Sequence, residues 1–199
     1  MDPLTVPSGS AGADVSVRPA APTDAAEIAR VQLVTWRTAY RSVLPAQVLD
    51  DWDAEQAEAS WRSAVTDPPT RAHGVLVARE RSGVVGFAAF GPPDLAPGEA
   101  ASPDGPTTDI AALLVEPRWG RRGHGSRLLA AVADLARETG ARRLQMWVPA
   151  ADQVSAGFLE TAGWDRDGWV RTLDAGTATV TMHRWHALLT APAPDEGTA

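Results

Sequence analysis

The chain has 199 residues and a formal charge of −7, from 18 basic and 25 acidic side chains. Every basic residue is arginine; lysine and cysteine are both absent. These absences exclude a P-loop phosphate lysine, Schiff-base chemistry, a thiolate nucleophile, a disulfide framework and a thiolate zinc site. Asparagine is missing too, and isoleucine occurs only at Ile28 and Ile110. Lys, Asn and Ile share A/T-rich codons, so the shortage reads as genomic composition, and a motif built on Lys or Asn is to be sought in substituted form. Apolar content of 44% and charged content of 22% are ordinary globular values, and one domain of this length buries roughly 70% of its unfolded surface. The acidic balance, with short basic patches only at Arg118–Arg122 and Arg142-Arg143, argues against nucleic acid as a partner. No apolar run approaches the ~20 residues of a membrane span, and the N-terminus lacks the basic and apolar regions of a signal peptide. The expected setting is therefore the cytoplasm, with no membrane partner.

Residues 1–13 and 191–199 read as disordered tails around a single domain over 14–190. Val15-Ser16-Val17 alternates as a strand. Asp24 opens a helix with Glu27 in capping-box relation, and Ile28, Val31, Thr35, Trp36, Ala39, Tyr40 and Val43 follow at helical spacing until Pro45. A second helix starts at Asp53, with Gln56 at its third position and Ala57 and Trp61 on its apolar side. Residues 74–78 and 83–90 form a hairpin through Arg81-Ser82-Gly83, and the Pro- and Gly-rich stretch 91–105 is a surface loop. Asp109–Val115 is an apolar strand. From Ser126 a strong helix carries Leu128, Leu129, Val132, Leu135 and Ala136 on one stripe and stops at Gly140. Leu144, Met146 and Val148 alternate as a strand, a short helix covers about 154–162, and strands at 168–173 and 177–185 close the chain. This order predicts an α/β (α+β) fold with a mixed sheet flanked by helices, not a doubly wound alternation.

The most informative stretch is the junction Val115-Glu116-Pro117-Arg118-Trp119-Gly120-Arg121-Arg122-Gly123-His124-Gly125-Ser126. A strand ends, a glycine-bearing loop follows and an amphipathic helix begins. Gly123 and Gly125 let the backbone turn tightly and bring its N–H groups against a ligand. At a helix N-terminus those donors and the macrodipole form a site for a pyrophosphate, and Arg121 and Arg122 add charge. A solvated turn that needs glycine for geometry alone is the competing reading. The third glycine of a dinucleotide fingerprint is Leu128 here.

With Asp109-Ile-Ala-Ala-Leu-Leu-Val-Glu-Pro before it, this junction resembles the acyl-CoA signature of the GNAT superfamily of N-acetyltransferases. The opening Val17-Arg18-Pro19-Ala20-Ala21-Pro22-Thr23-Asp24-Ala25 and the later Gly157-Phe158-Leu159-Glu160-Thr161-Ala162-Gly163-Trp164 resemble two further family segments, in the family's order. The resemblance implies acetyl-CoA as co-substrate, no metal, and a splayed sheet in which strands 109–115 and 144–148 part to admit pantetheine. Its amides would pair with the backbone of Leu113, Leu114 and Val115, and the pyrophosphate would sit on Arg121, Arg122, Gly123, His124, Gly125 and Ser126. Three positions depart from the family's pattern: Gly120 replaces a Gln or Arg, so that Arg121 or Arg118 supplies the charge; Asp152 replaces an Asn; and Leu159 replaces a tyrosine acid.

Acetylating an alkylammonium of pKa ~10.4 requires that a proton be removed. Asp109 is the catalytic base candidate, with an exposed strand-edge carboxylate as the alternative; Glu116, beside Pro117, is expected to face solvent. His124 serves through its amide more than its ring. The resemblance places Trp36 and Tyr40 of the first helix beside the acceptor, and the Trp36-to-Pro45 pattern is similar to a bacterial subgroup that includes polyamine acetyltransferases. A plain core face is the competing reading of that helix. His183 and His186 are three apart on a strand, hence on opposite faces, and make no metal pair. The acidic run Asp50-Asp51-Asp53-Glu55 favours a cationic amine. The expected partner is thus a small-molecule amine acceptor, with a homodimer as the assembly considered. A non-catalytic acyl-CoA sensor and a nucleotide-binding protein are the rival classes.

Overall fold

The alternating apolar segments form one seven-stranded mixed sheet in a computed structural model that describes residues 15–41, 46–95, 99–174 and 179–189. Both expected tails, and Val43 and Pro45, lie outside the described residues. The strands are β1 (Val15–Pro19), β2 (Gly74–Glu80), β3 (Gly83–Gly91), β4 (Thr107–Val115), β5 (Arg143–Pro149), β6 (Asp165–Asp174) and β7 (Thr179–Leu188). Their order across the sheet is β1-β2-β3-β4-β5-β7-β6. All neighbours run antiparallel except β4 and β5. The helices are α1 (Ala25–Ala39), α2 (Ala46–Asp50), α3 (Ala54–Thr66), α4 (His124–Glu138) and α5 (Gln153–Thr161).

Each sheet face owes its cover to one amphipathic stripe. Leu128, Leu129, Val132 and Ala136 of α4 are buried against Ile110, Leu144, Met146 and Val148. On the opposite face, Ile28 and Val31 of α1 pack with Val77, Val84, Phe87 and Leu114. At roughly 1.5–3 kcal/mol for each large apolar side chain taken from water, these stripes fix both helices to the sheet. Asp53 caps α3 as expected, accepting from the Gln56 N–H at 2.9 Å. Asp24 does not cap α1: its carboxylate turns back to the Arg18 guanidinium at 2.6 and 2.9 Å and the Ala21 N–H at 2.7 Å. The arginine wins because a charge-assisted pair outcompetes a neutral amide, and Glu27 pairs with Arg30 instead of completing a capping box. α2, absent from the expected elements, is too short to show a period.

Two irregularities shape the centre of the sheet. Ala89 pairs with Ala112 and Phe90 with Ile110, which leaves Ala111 as an extra residue in β4. This bulge inverts the alternation: Ile110, Leu113 and Val115 face α4, whereas Asp109, Ala112 and Leu114 lie on the α1 face. In addition, β4 and β5 pair only from Thr107 to Ile110 against Arg143 to Met146. Beyond those four pairs β4 follows β3 and β5 follows β7, and the two strands part as expected.

Candidate active site

The loop ahead of α4 leads into a helix whose first backbone donors are left without intrahelical acceptors. Gly123, at φ +79°, is the N-cap, a conformation that costs any other residue. The first helical bond runs from the Arg127 N–H to the Gly123 carbonyl at 3.0 Å, so the N–H groups of His124, Gly125 and Ser126 have no acceptor within the helix. Arg121 sits at φ +60°, a strained value for an arginine. The loop's guanidinium groups are not equivalent. Arg118 pairs with Glu116, Arg122 pairs with Glu80 at 3.0 Å and lies 4.7 Å over the Trp119 ring, and Arg121 has no ion pair among the described residues.

A cavity of about 930 Å³ opens beside this loop and runs between the parted strands. It is bounded by Leu113, Leu114 and Val115, by Met146 of β5, by the loop from Pro117 to Ser126, by the end of α1 at Tyr40, and by Asp152, Ser155 and Leu159. Since β3 pairs with the other edge of 113–115, the backbone groups on the β5 side of those residues face the gap. The cavity thus gathers Leu113, Leu114, Val115, Arg121, Gly123, His124, Gly125, Ser126 and Tyr40, while Arg122, Trp36 and Asp109 are not in its lining. The His124 ring is 1% exposed and turned inward, with Nε2 2.9 Å from Glu80, which leaves its N–H to the loop. Trp36 stacks edge-on against Trp52, centroids 5.3 Å apart, and packs with the α1 core.

Asp109 stands opposite Gln145, one pair before the last rung that β4 and β5 share. Its Oδ1 accepts from Gln145 Nε2 at 2.9 Å. Burial pushes this carboxyl above the usual carboxylate range, and the Gln145 hydrogen bond and the charges of Arg171 and Arg184 only partly offset it. Such a carboxylate is a better proton acceptor than an exposed one. Glu116 is buried rather than solvent-facing: it is 4% exposed and pairs with Arg30 at 2.8 Å and Arg118 at 2.5 Å. Because Val115 faces α4, the next side chain falls on the α1 face, where Arg30 meets it.

Within the cavity lining the Tyr40 hydroxyl meets the Asp152 carboxylate and the Ser155 hydroxyl. Burial, followed by Asp152, holds this phenol well above its ordinary range, so it keeps its proton. Asp152 also caps α5, accepting from the Ser155 N–H at 2.9 Å and from its Oγ at 2.6 Å. Leu159 is 1% exposed and contributes only apolar surface. Sequence reasoning missed Gln145, Ser155 and Trp52, which strand register and helix docking bring in. Among the described residues no helix is long and apolar enough to cross a membrane.

Residues 33–164 match the profile of the acetyltransferase (GNAT) family. The uncharacterized N-acetyltransferase YuaI of Bacillus subtilis (strain 168) is 34% identical over 135 residues, which is 67% of this chain and 71% of that protein. Among solved structures, yncA from Salmonella typhimurium, determined with acetyl-CoA, superposes with a TM-score of 0.65 at 19% identity. That match covers 92% of this chain and 99% of the other. The PaiA N-acetyltransferase of Thermoplasma acidophilum, in complex with coenzyme A, gives 0.60 at 14% identity over 85% and 97%. These two likenesses establish the splayed fold.

Proposed function

Because this chain belongs to the acetyltransferase (GNAT) family and is an acetyl-CoA-dependent N-acetyltransferase, we propose that it acetylates the primary amine of a small acceptor by direct transfer. The observation that carries this reading is the cavity running from the acceptor-free amides of α4 to the β4 backbone at the split. The amides of His124, Gly125 and Ser126 hold the pyrophosphate, with Arg121 as the charge that stands in for the missing residue at Gly120. Arg122 contributes its N–H, since its side chain is committed to Glu80. Leu113, Leu114 and Val115 bind the pantetheine amides as an added strand would.

Bound acetyl-CoA supplies an activated thioester. The chain's part is to present a neutral amine to it. Asp109, made more basic by burial, takes the ammonium proton directly or through water. A thiolate with the ordinary thiol pKa of ~8.5 leaves without a strong acid, so Leu159 does not block turnover. Tyr40 forms the acceptor-side wall at the end of α1, with Trp36 one turn earlier packing behind it. The acidic run at 50–55 supports an acceptor that carries an ammonium group by raising its local concentration.

The test measures thiol release from acetyl-CoA across a panel of primary amines, with the product identified by mass. Sequential kinetics and an N-acetylated product are expected for at least one amine. Tight coenzyme A binding with no release for any amine, or an acetylated protein as intermediate, would overturn the reading.

A further inference from the structure

The α1-facing side of β5, β6 and β7 carries a row of side chains that cofactor binding does not use. Arg143, Gln145 and Trp147 of β5, Arg184 of β7, and Asp167, Trp169 and Arg171 of β6 share this face with Asp109. Two of its three arginines are buried and neutralised. Arg143 pairs with Asp167 at 2.5 Å and Asp104 at 3.3 Å, and Arg184 pairs with Asp167 at 2.7 Å and with Glu99. The third, Arg171, is different. It is exposed and makes no ion pair or hydrogen bond among the described residues. Its guanidinium lies 4.4 Å over the Trp147 ring, whose other neighbour is Arg184 at 5.6 Å.

Register shows how far inward this places the charge. Arg171 pairs with Met182 of β7, which in turn pairs with Pro149 of β5. From the edge strand the side chain therefore crosses β7 to reach a β5 indole, and its charge acts on Asp109 and on Asp94. A flat guanidinium on an aromatic face is held in one plane and keeps its outer N–H fork open for an oxyanion.

This position is costly for a plain amine. A positive charge within reach of Asp109 repels the incoming ammonium and weakens the carboxylate as a base. The cost disappears when the acceptor brings its own anion. A carboxylate seated on Arg171 neutralises the guanidinium, leaves Asp109 to the ammonium end, and orients the amine between them. Asp94, on the exposed segment after β3, offsets part of the Arg171 charge without engaging its fork. Building on the acetyl-transfer reading above, we propose that Arg171, stacked on Trp147, recognises a carboxylate on the acceptor, so that the acceptor class is a free amino acid. A polyamine, by contrast, would place its second cation against this guanidinium.

The experiment compares free amino acids with the amines left by their decarboxylation, plus spermidine, as acceptors for the full-length protein and for Arg171→Gln and Arg171→Lys. The wild type should favour at least one amino acid over its decarboxylated partner by 100-fold or more in kcat/KM. Arg171→Gln should cut that ratio at least tenfold, mainly through KM, and Arg171→Lys should fall between, keeping charge but losing the fork. A preference for spermidine or the decarboxylated amines, or a ratio that Arg171→Gln leaves unchanged, overturns the proposal while the acetyl-transfer reading stands. Should no amine release thiol, that reading fails instead. Calorimetric titration of the same amino acids into the coenzyme A-loaded protein then decides: binding lost in Arg171→Gln supports the carboxylate site, and no binding overturns it.

Discussion

Asp109, the proposed base, would trade stability against chemistry. Burial holds its carboxyl above the ordinary value of 3.8. A folded-state value above the unfolded one means that stability is greatest at low pH and falls as pH rises from about 3.8 through the folded value. At neutral pH the ionised group is therefore a cost. Asp109→Asn keeps an acceptor for Gln145 and removes that cost. Its urea midpoint should lie above wild type at neutral pH, with the difference vanishing in acid. Turnover should fall by about 10²–10⁴-fold, and the remaining activity should rise with pH as free amine comes from solution. Equal rates and pH profiles would make Asp109 a structural residue. The glycines of the loop separate in the same way. A side chain at Gly123 is strained by its φ of +79° whatever is bound, whereas a Cβ at Gly125 meets the Phe158 ring at 3.5 Å and Val115 Cγ2 at 3.9 Å, both ordinary contacts. Gly125→Val is thus the cleaner probe. The fold should persist and coenzyme A affinity should drop at least tenfold, about 1.4 kcal/mol, by calorimetry.

Between elements, the site depends on how α1, β4 and α4 are tied. Glu116 is the first residue past β4 and also receives Arg30 from α1, while its own N–H donates to the Val85 carbonyl at 2.9 Å. The ion pair and this hydrogen bond together anchor the start of the loop before α4 to α1 and to β3. Glu116→Gln removes one charge and leaves Arg30, itself about one-third exposed, with Glu27 as its remaining carboxylate partner. A loss of about 1–3 kcal/mol in chemical denaturation is expected, together with weaker coenzyme A binding as the loop loosens. A change in stability with unaltered affinity would show that the anchor serves the fold alone. The bulge at Ala111 has the larger structural consequence. By inverting the alternation within β4 it places Asp109 on one face and Leu113 and Val115 on the other.

At the scale of the whole molecule, acid stability rests on two carboxylates at opposite ends of the sheet. The Arg18 hydrogen bond holds Asp24 below its ordinary range. Burial pushes Asp167 up, but the Trp169 N–H and the Arg184 and Arg143 guanidinium groups outweigh it and hold that carboxyl low. A lowered folded-state value supplies stability above about 3.8 that is lost as pH falls further. Asp167→Asn should therefore be less stable than wild type at neutral pH and show a shallower acid transition by circular dichroism. An unchanged acid transition would assign the acid sensitivity elsewhere. Period and punctuation were enough to read the strands, the α1 and α4 stripes, the Asp53 cap and the glycine loop, because each is decided within a few residues by side-chain spacing or backbone sterics. The sequence likewise determined that thiolate and lysine chemistry are absent, and the order of motifs pointed to the parted strands. Which way Asp24, Glu116, Arg122 and His124 turn was settled by partners 3 to 86 residues away. The same holds for Gln145 beneath Asp109, Tyr40 opposite Asp152, and Arg171 over Trp147. A charged side chain takes the strongest partner within reach, and only sheet register, the bulge and helix docking determine which partners are within reach.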